Sequence, residues 1–535
     1  MSDLPTASIP KSWIWARIQD VATTATGGTP SRSMSTYFGG NIPWVKSGEL
    51  GDGHVFDTEE TLSELGLKSS NAKLFPKGTL CIALYGATVG KLGILEVDAA
   101  TNQAVCGLFL PDEVHRDFVF YYLASIRRRL IEQGKGGAQS NISNGLVRQT
   151  RIPIAPLTEQ RRIVAKIEEL FSDLDAGVAA LKRAKANLKR YRASVLKSAV
   201  EGKLTEQWRA KHPAKEPASA LLARILLERR LKWEADQLAK FAAAKKEPPK
   251  NWRDKYVEPT PPIATGLPEL PADWTWASVQ QVGSVQLGRQ RAPQHHSGEH
   301  MRPYLRVANV FEDRIDTTDV MEMNFTPDEY ETYRLGSGDI LLNEGQSMEL
   351  VGRPAIYRDE VPGACFTNTL VRFRVYDNVD TDYALRVFLA YLKNGRFQKI
   401  ATITVNIAHL GAGRFAEIEF PLPPIEEQAA IIQEVDRHFS QIDAAEKQIE
   451  HGLLRAARLR QSILKRAFEG KLVPQDPKDE PASALLERLR ASRTHDEANG
   501  TTATSKRTRA KIKESSGEPR TRIRRRASTR NQQEE

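Results

Sequence analysis

The stretch IPIAPLTEQRRIVAKIEELFSDLDAGVAALKRAKANLKRYRASVLKSAVEGKL, residues 152–204, returns as FPLPPIEEQAAIIQEVDRHFSQIDAAEKQIEHGLLRAARLRQSILKRAFEGKL at 420–472. The offset is 268 throughout, with no gap. Of the 53 aligned residues 19 are identical, among them Pro153/Pro421, Glu159/Glu427, Gln160/Gln428, Phe171/Phe439, Asp175/Asp443, Leu196/Leu464 and the EGKL ending. In the first copy Ile163, Ile167, Leu170, Leu174, Leu181, Ala184, Leu188, Tyr191 and Val195 follow the alternating four-and-three spacing of a coiled-coil seam. Ile431, Val435, Ile442, Ile449, Leu459 and Ile463 keep that seam in the second copy, with His438, Gly452 and Ala456 as weaker members. A single insertion would turn everything downstream by roughly 100°. An ungapped repeat therefore reads as a rod whose length and phase both matter. The alternative is an ordinary pair of amphipathic helices.

The regions around the rods repeat less strictly. LPADWTWASVQQVG at 270–283 echoes IPKSWIWARIQDVA at 9–22, placing Trp274 and Trp276 on Trp13 and Trp15. IPWVK at 42–46 matches RPYLR at 302–306, TNQAV at 101–105 matches TNTLV at 367–371, and QSNI at 139–142 matches TVNI at 404–407. Here the offset drifts from 261 and 260 to 266 and 265, short of the 268 of the rods, so these parts differ by insertions and deletions. Short β-like runs such as KLFPKGTLCIALYG and AVCGLFL, a short helix at DFVFYYLASIRRRLIEQ, and Gly and Pro punctuation predict mixed α+β units. After the first rod, EPASALLARILLERRLKWEADQLAKF predicts a further helix with Pro217 in its first turn. Seven prolines between Glu247 and Trp274 predict an extended linker or strap.

At 535 residues the chain exceeds one core. Cys81, Cys106 and Cys365 have no metal spacing and predict buried thiols in a reducing cytoplasm. No apolar run is long enough to span a membrane, so no membrane association is expected. The net charge is +10, but the 35 residues from Thr501 to Glu535 carry +7 of it. Overall charge is thus weak evidence for nucleic-acid binding by the folded part. The tail, nearly free of apolar residues, is expected to be disordered and either to hold phosphate or to act as a solvated tail.

Globule, rod, globule, rod is the pattern of two readers on a spacer. Two such helices packed antiparallel generate a pseudo-two-fold axis, as duplex DNA has locally, and two different globules suit an asymmetric, split target. Over residues 5 to 490 the chain resembles the specificity subunit (HsdS) of type I restriction-modification systems. The resemblance rests on SWIWARIQDVATTATGGTPSR, LYGATVGKLG, TNQAV, QSNI, IPIAPLTEQRRIVAKIEELF and SVLKSAVEGKL with their second-half partners. It implies an α+β fold of two mixed target-recognition domains separated by two long helices packed as an antiparallel coiled coil, with an internal pseudo-two-fold repeat. The expected division is a first target-recognition domain at 1–156, a central helical spacer at 157–247, a Pro-rich linker at 248–269, a second target-recognition domain at 270–424, a distal spacer at 425–490 and the basic tail at 491–535. The implied partners are double-stranded DNA, two modification (methyltransferase) subunits and two restriction (translocase and nuclease) subunits in the cytoplasm. S-adenosylmethionine, ATP and Mg are expected in those partner subunits and no cofactor in this chain.

The chain lacks an Asn/Asp-Pro-Pro-aromatic loop for a flipped base and a glycine-rich cofactor turn, so no catalysis is expected of it. GATVGKL at 86–92 is one residue short of a phosphate loop and has Leu92 where Ser or Thr would bind magnesium; it reads as a turn between strands. His295, His296 and His300 lack partner ligands and read as a polar loop, and His438 as a core or interface histidine. For base reading, Arg and Lys suit guanine edges and Asn and Gln suit adenine edges. The candidates are Arg32, Lys46, Lys91, Asn102, Gln103, Lys135, Gln139 and Asn141 in the first unit. Those in the second are Arg289, Arg291, Arg306, Asn309, Asn343, Gln346, Arg353, Asn368 and Asn406. Asn102/Asn368 and Asn141/Asn406 recur between halves, which equally suits turn caps or backbone contacts. The competing functions are a self-sufficient DNA methyltransferase or restriction enzyme and a coiled-coil interaction protein that does not bind DNA.

Overall fold

Each half of the chain opens with a short strand that returns to the strand leading into its long helix. Ile14–Arg17 pairs antiparallel with Arg151–Ile154, and Thr275–Ser278 pairs in the same way with Glu419–Leu422. Trp15 lies opposite Pro153 and Trp276 opposite Pro421, so the tryptophans and prolines matched in sequence also share a register. The structure is a computed structural model and describes residues 8–134, 141–263 and 265–493.

Two long helices lead on from those strands, Leu157–Val200 and Ile425–Phe468. Each ends just ahead of a glycine in the left-handed region, Gly202 (φ +68°) and Gly470 (φ +66°), where a side chain would be strained. The chain divides into unit 1, Met1–Ala179 with Leu453–Glu535, and unit 2, Ala180–Gly452. Both long helices are therefore cut, and each unit holds the start of one and the end of the other.

Unit 1 contains a five-stranded sheet in the order Thr23–Thr26, Val105–Phe109, Leu80–Ala83, Leu92–Leu95, Gly53–Val55. A four-stranded sheet runs Thr61–Leu62, Phe38–Val45, Ala99–Thr101, Leu74–Phe75. The single helix expected at 117–133 is two, Arg116–Ser125 and Arg127–Gln133. Phe118 of the first packs edge-on against Trp13 and Phe468, tying the sheet-bearing part to the end of the second long helix. Arg460 lies 4.1 Å over the Phe171 ring and pairs with Asp175.

Unit 2 contains a four-stranded sheet, Gly283–Leu287, Leu370–Val375, Ile340–Asn343, Pro354–Ile356, and a three-stranded sheet, Met321–Asn324, Met301–Leu305, Cys365–Phe366. The helix Thr381–Asn394 buries Phe388 against Phe373, Phe415 and Phe420. Arg192 lies 4.5 Å over Phe439 and pairs with Asp443, which are the 268-residue equivalents of the Arg460, Phe171 and Asp175 contacts. Lys185 reaches Glu450 at 2.9 Å and the Tyr191 hydroxyl meets Nδ1 of His438 at 2.9 Å.

Ile163, Ile167, Val195, Ile431, Val435, Ile442, Ile449 and Ile463 are buried, and Leu170, Leu174, Leu181 and Leu188 are half-buried. Leu459 departs from the expected seam at 48% exposed, while Ala456, Ile463 and Leu464 around it are covered. Pro217 is the cap of the helix Ala218–Ala243 and not part of its first turn. The proline-rich segment is a strap, because Trp252 is buried and stacks 5.9 Å from Trp233 of that helix. All three cysteines are buried and free, and burial pushes Cys106 and Cys365 up to about 12. Among the described residues no helix is long and apolar enough to cross a membrane.

Candidate nucleic-acid interface

The buried Glu-Gln pair at the start of each long helix positions the sheets above it. Glu427, 1% exposed, accepts hydrogen bonds from Trp274 Nε1 (2.8 Å), Thr205 Oγ1 (2.6 Å) and Arg209 Nε (3.0 Å). Glu159 accepts from Trp13 Nε1 at 2.9 Å, but its second partner is the neutral Gln475 amide and not an arginine. Burial raises the Glu159 carboxyl above the usual carboxylate range. Beside them Gln160 Oε1 accepts from the His115 backbone N–H (2.9 Å) and Gln428 Oε1 from that of Asp380 (2.7 Å), each just ahead of the helix that covers its sheet. Sequence reasoning saw the Trp, Glu and Gln identities but not that they meet. Their joint recurrence was the signal.

In unit 1, Val45 lies opposite Thr101 in a parallel pair, so Lys46 and Asn102 leave adjacent strand ends. Lys46 Nζ reaches Glu59 (2.9 Å) and Glu60 (3.1 Å), and Arg32 forks onto Glu60 while lying over the Phe38 and Trp44 rings. The hydrogen bonds from Arg32 and then Lys46 lower the Glu60 carboxyl to about 2. Asn102 Oδ1 accepts from the Ala104 N–H at 3.1 Å, which is a turn cap. Gln103 is exposed and accepts from the Thr29 hydroxyl. Lys91 comes after a turn in which Gly86 and Gly90 have positive φ, between the strands Leu80–Ala83 and Leu92–Leu95. It is half-buried, and Asn141 is exposed. Lys135 and Gln139 lie outside the described residues, as does the basic tail.

In unit 2 several candidates are internal braces. Arg289 is 7% exposed, donates from Nε to Glu329 Oε1 (2.8 Å) and from Nη1 to the Asn324 carbonyl (2.5 Å), and stacks on Phe325. Asn309 accepts from the Arg306 N–H (3.0 Å) and donates to the carbonyls of Asp316 and Asp319 (both 2.9 Å). Arg306 pairs with Asp319, and Arg353 lies over Phe311 with its pKa lowered by burial. Asn343 is fully buried and its amide meets no hydrogen-bond partner among the described residues. The Asn368 N–H donates to the Arg289 carbonyl at 2.9 Å. Arg291 is exposed over the Tyr304 ring, Gln346 is half-buried on the strand Gly345–Gln346, and Asn406 is exposed at a hairpin tip.

We expect Arg289→Ala to lower the stability of unit 2 by about 2 to 3 kcal/mol through the stranded Glu329 and Asn324 acceptors. Denaturant unfolding checks this, and a stable variant with altered target choice would make Arg289 a reader after all.

These two units share their junctions and differ in their polar loops. The sequence pattern of the type I restriction modification DNA specificity domain matches residues 10–184 and again 273–454. The chain belongs to that family. It is 24% identical over 505 residues to the type I restriction enzyme EcoKI specificity subunit of Escherichia coli (strain K12), covering 91% of this chain and 96% of that one. It is equally 24% identical over 507 residues to the StySPI specificity subunit of Salmonella potsdam, covering 91% and 96%. Among solved structures, a chain described under complex assembly and conformational transition of the type I R-M system superposes with a TM-score of 0.58 at 17% identity, over 87% of this chain and 99% of that one. That likeness concerns the fold. For this family member, no group of three or more His, Cys, Asp or Glu among the described residues is placed to hold a metal ion.

Proposed function

We propose that this chain is the sequence-reading subunit of a type I restriction-modification complex. It reads a bipartite, asymmetric duplex target and carries no catalysis of its own. The observation that carries this reading is the recurrence of one junction, Trp13–Glu159 and Trp274–Glu427, beneath two units whose polar loops differ. A repeated mount with unlike readers suits a target of two unlike half-sites. The helices Leu157–Val200 and Ile425–Phe468 act as an antiparallel coiled-coil spacer with a pseudo-two-fold relation. The equivalence of Arg192–Asp443 and Arg460–Asp175 supports that pairing, as does the fall of partner numbers along one helix as they rise along the other. On this reading the spacer docks two modification subunits, which supply S-adenosylmethionine chemistry, and the assembly accepts two restriction subunits with their ATP and Mg. The chain works in the cytoplasm, where DNA and those subunits meet.

For base contacts the exposed Gln103, Asn141, Arg291 and Asn406 are favoured, with Lys91 and Gln346 beside them; Lys135 and Gln139 remain candidates. Arg32 and Lys46 reach DNA only by exchanging the Glu59 and Glu60 carboxylates for phosphate. The test is methylation. The purified chain with S-adenosylmethionine is expected to leave DNA unmodified, and the chain with its modification subunit to methylate adenines at one split sequence. Methylation by the chain alone would overturn the reading.

A further inference from the structure

The hairpin formed by Thr402–Thr404 and Ile407–His409 is anchored at its root and bare at its tip. Ile407–His409 also pairs with Gly345–Gln346, His409 Nδ1 meets Glu344 at 3.0 Å, and Arg414 donates to the Ile400 carbonyl (2.8 Å), Thr402 Oγ1 (3.1 Å) and the His409 carbonyl (2.9 Å). The two turn residues, Val405 (φ +45°) and Asn406 (φ +67°), both have positive φ. Asn and Gly suit such a turn, whereas a β-branched residue there is strained. Strain held at an exposed tip needs a use.

The tip is also aliphatic on both sides. Ile403 is 66% exposed, Val405 91% and Ile407 47%. Ile403 faces Ala408 across the hairpin and Thr404 faces Ile407, so the two isoleucines lie on opposite faces of the ribbon. Both are exposed, so the end of the hairpin projects into solvent on its two faces. The segment 402–409, TITVNIAH, has no carboxylate; Thr402 and Thr404 offer hydroxyls and Asn406 an amide. An apolar head with hydroxyl and amide flanks on a two-stranded ribbon matches what enters a DNA groove and wedges a base step.

We propose that this hairpin is a DNA wedge: the ribbon enters a groove at the half-site read by unit 2 and places Val405, flanked by Ile403 and Ile407, between neighbouring base pairs. This rests on the DNA-reading function proposed above and adds to it the means by which unit 2 deforms its half-site. A sequence then gains affinity where its base step unstacks easily, without a hydrogen bond to that step.

The test uses the full chain assembled with its modification subunit, and a target duplex with 2-aminopurine placed in turn at positions of the unit 2 half-site other than the methylated adenine. Binding of the wild-type complex is expected to raise fluorescence several-fold at one step. The variant I403T/V405N/I407T keeps strand formers in the strands and gives the turn an Asn that accepts positive φ. It is expected to assemble normally, to lose the fluorescence rise and to bind the target about tenfold more weakly, the scale of a lost wedge contact. A wild-type complex that shows no rise at any position overturns the proposal. So does a variant with wild-type fluorescence and affinity, or one that loses the modification subunit instead, which would make the tip a protein contact. A wild-type complex that prefers no sequence would overturn the DNA-reading function itself, and that result needs no variant.

Discussion

Glu427→Ala should destabilise unit 2 by about 3 kcal/mol, because it strands two buried donors and takes the carboxylate from the half-buried Arg209 guanidinium. The carboxylate is the shared acceptor for Trp274 Nε1, Thr205 Oγ1 and Arg209, and Thr205 and Trp274 are buried. Glu159, its repeat equivalent, should behave otherwise. Its partners are Trp13 and Gln475, both neutral, and the nearby Arg162 is committed to Asp479 at 2.6 Å. Glu159→Gln keeps an acceptor for Trp13 and removes a charge that burial disfavours, so it should change stability at pH 7 by less than about 1 kcal/mol. The pH dependence separates the two sites further. Because the Glu159 carboxyl is raised in the folded state, that state binds its proton more readily than the unfolded chain. The stability it contributes is complete below the ordinary carboxylate range and is lost as pH rises through the raised folded value. Glu159→Gln should remove that slope. Calorimetry of both variants from pH 4 to about pH 8 checks the pair. Equal losses at the two positions would sink the assignment of Arg209 as the cause of the difference.

That asymmetry shows what was legible in the sequence and what was not. The long helices were legible because a four-and-three apolar period from Ile163 to Val195 admits one local structure, and the ungapped repeat from Ile431 to Ile463 asks for the same one. The EGKL ending common to both copies coincides with the two helix stops, because at Gly202 and Gly470 only glycine takes the required conformation cheaply. The bracing of Arg289 was hidden because its partners Glu329 and Asn324 lie 40 and 35 residues away, and a pairing at such distance leaves no local trace. The anchoring of the strap at Trp252 was hidden for the same reason: proline content predicts extension but not the Trp233 ring it stacks on. Val405 carried a readable sign. A Val-Asn pair in TITVNI alternates like a strand straight through what the fold makes a turn, and local propensity gives way there to the Gly345–Gln346 pairing and the Arg414 brace at the root.

If the helices are a spacer, phase should matter more than length. One residue inserted after Ala184 lengthens its helix by about 1.5 Å, less than half a base-pair step, but turns the remainder of that helix by about 100°. That rotation moves Leu188 and Val195 off their face and separates Arg192 from Asp443. Target methylation by the assembled complex is expected to vanish. Four residues at the same place add about 6 Å and leave a net turn of only about 40°. Two base pairs add about 6.8 Å. The four-residue variant is therefore expected either to methylate a target whose half-sites lie one or two base pairs further apart or, where the pairing with 425–452 cannot adjust, to fail in assembly with its modification subunits. Sequencing of methylated adenines reads the spacer directly, and sedimentation reads assembly. An unchanged target for both insertions would mean that the helices hold the units but do not measure the distance between half-sites. Gly452, the equivalent of Ala184, makes the adjustment harder. A Cβ there would come within 3.0 Å of Leu181 Cδ1, so the two helices already approach closely at that level. Any insertion after Ala184 falls beside this close approach, which is why the one-residue variant should lose function completely and not by degree.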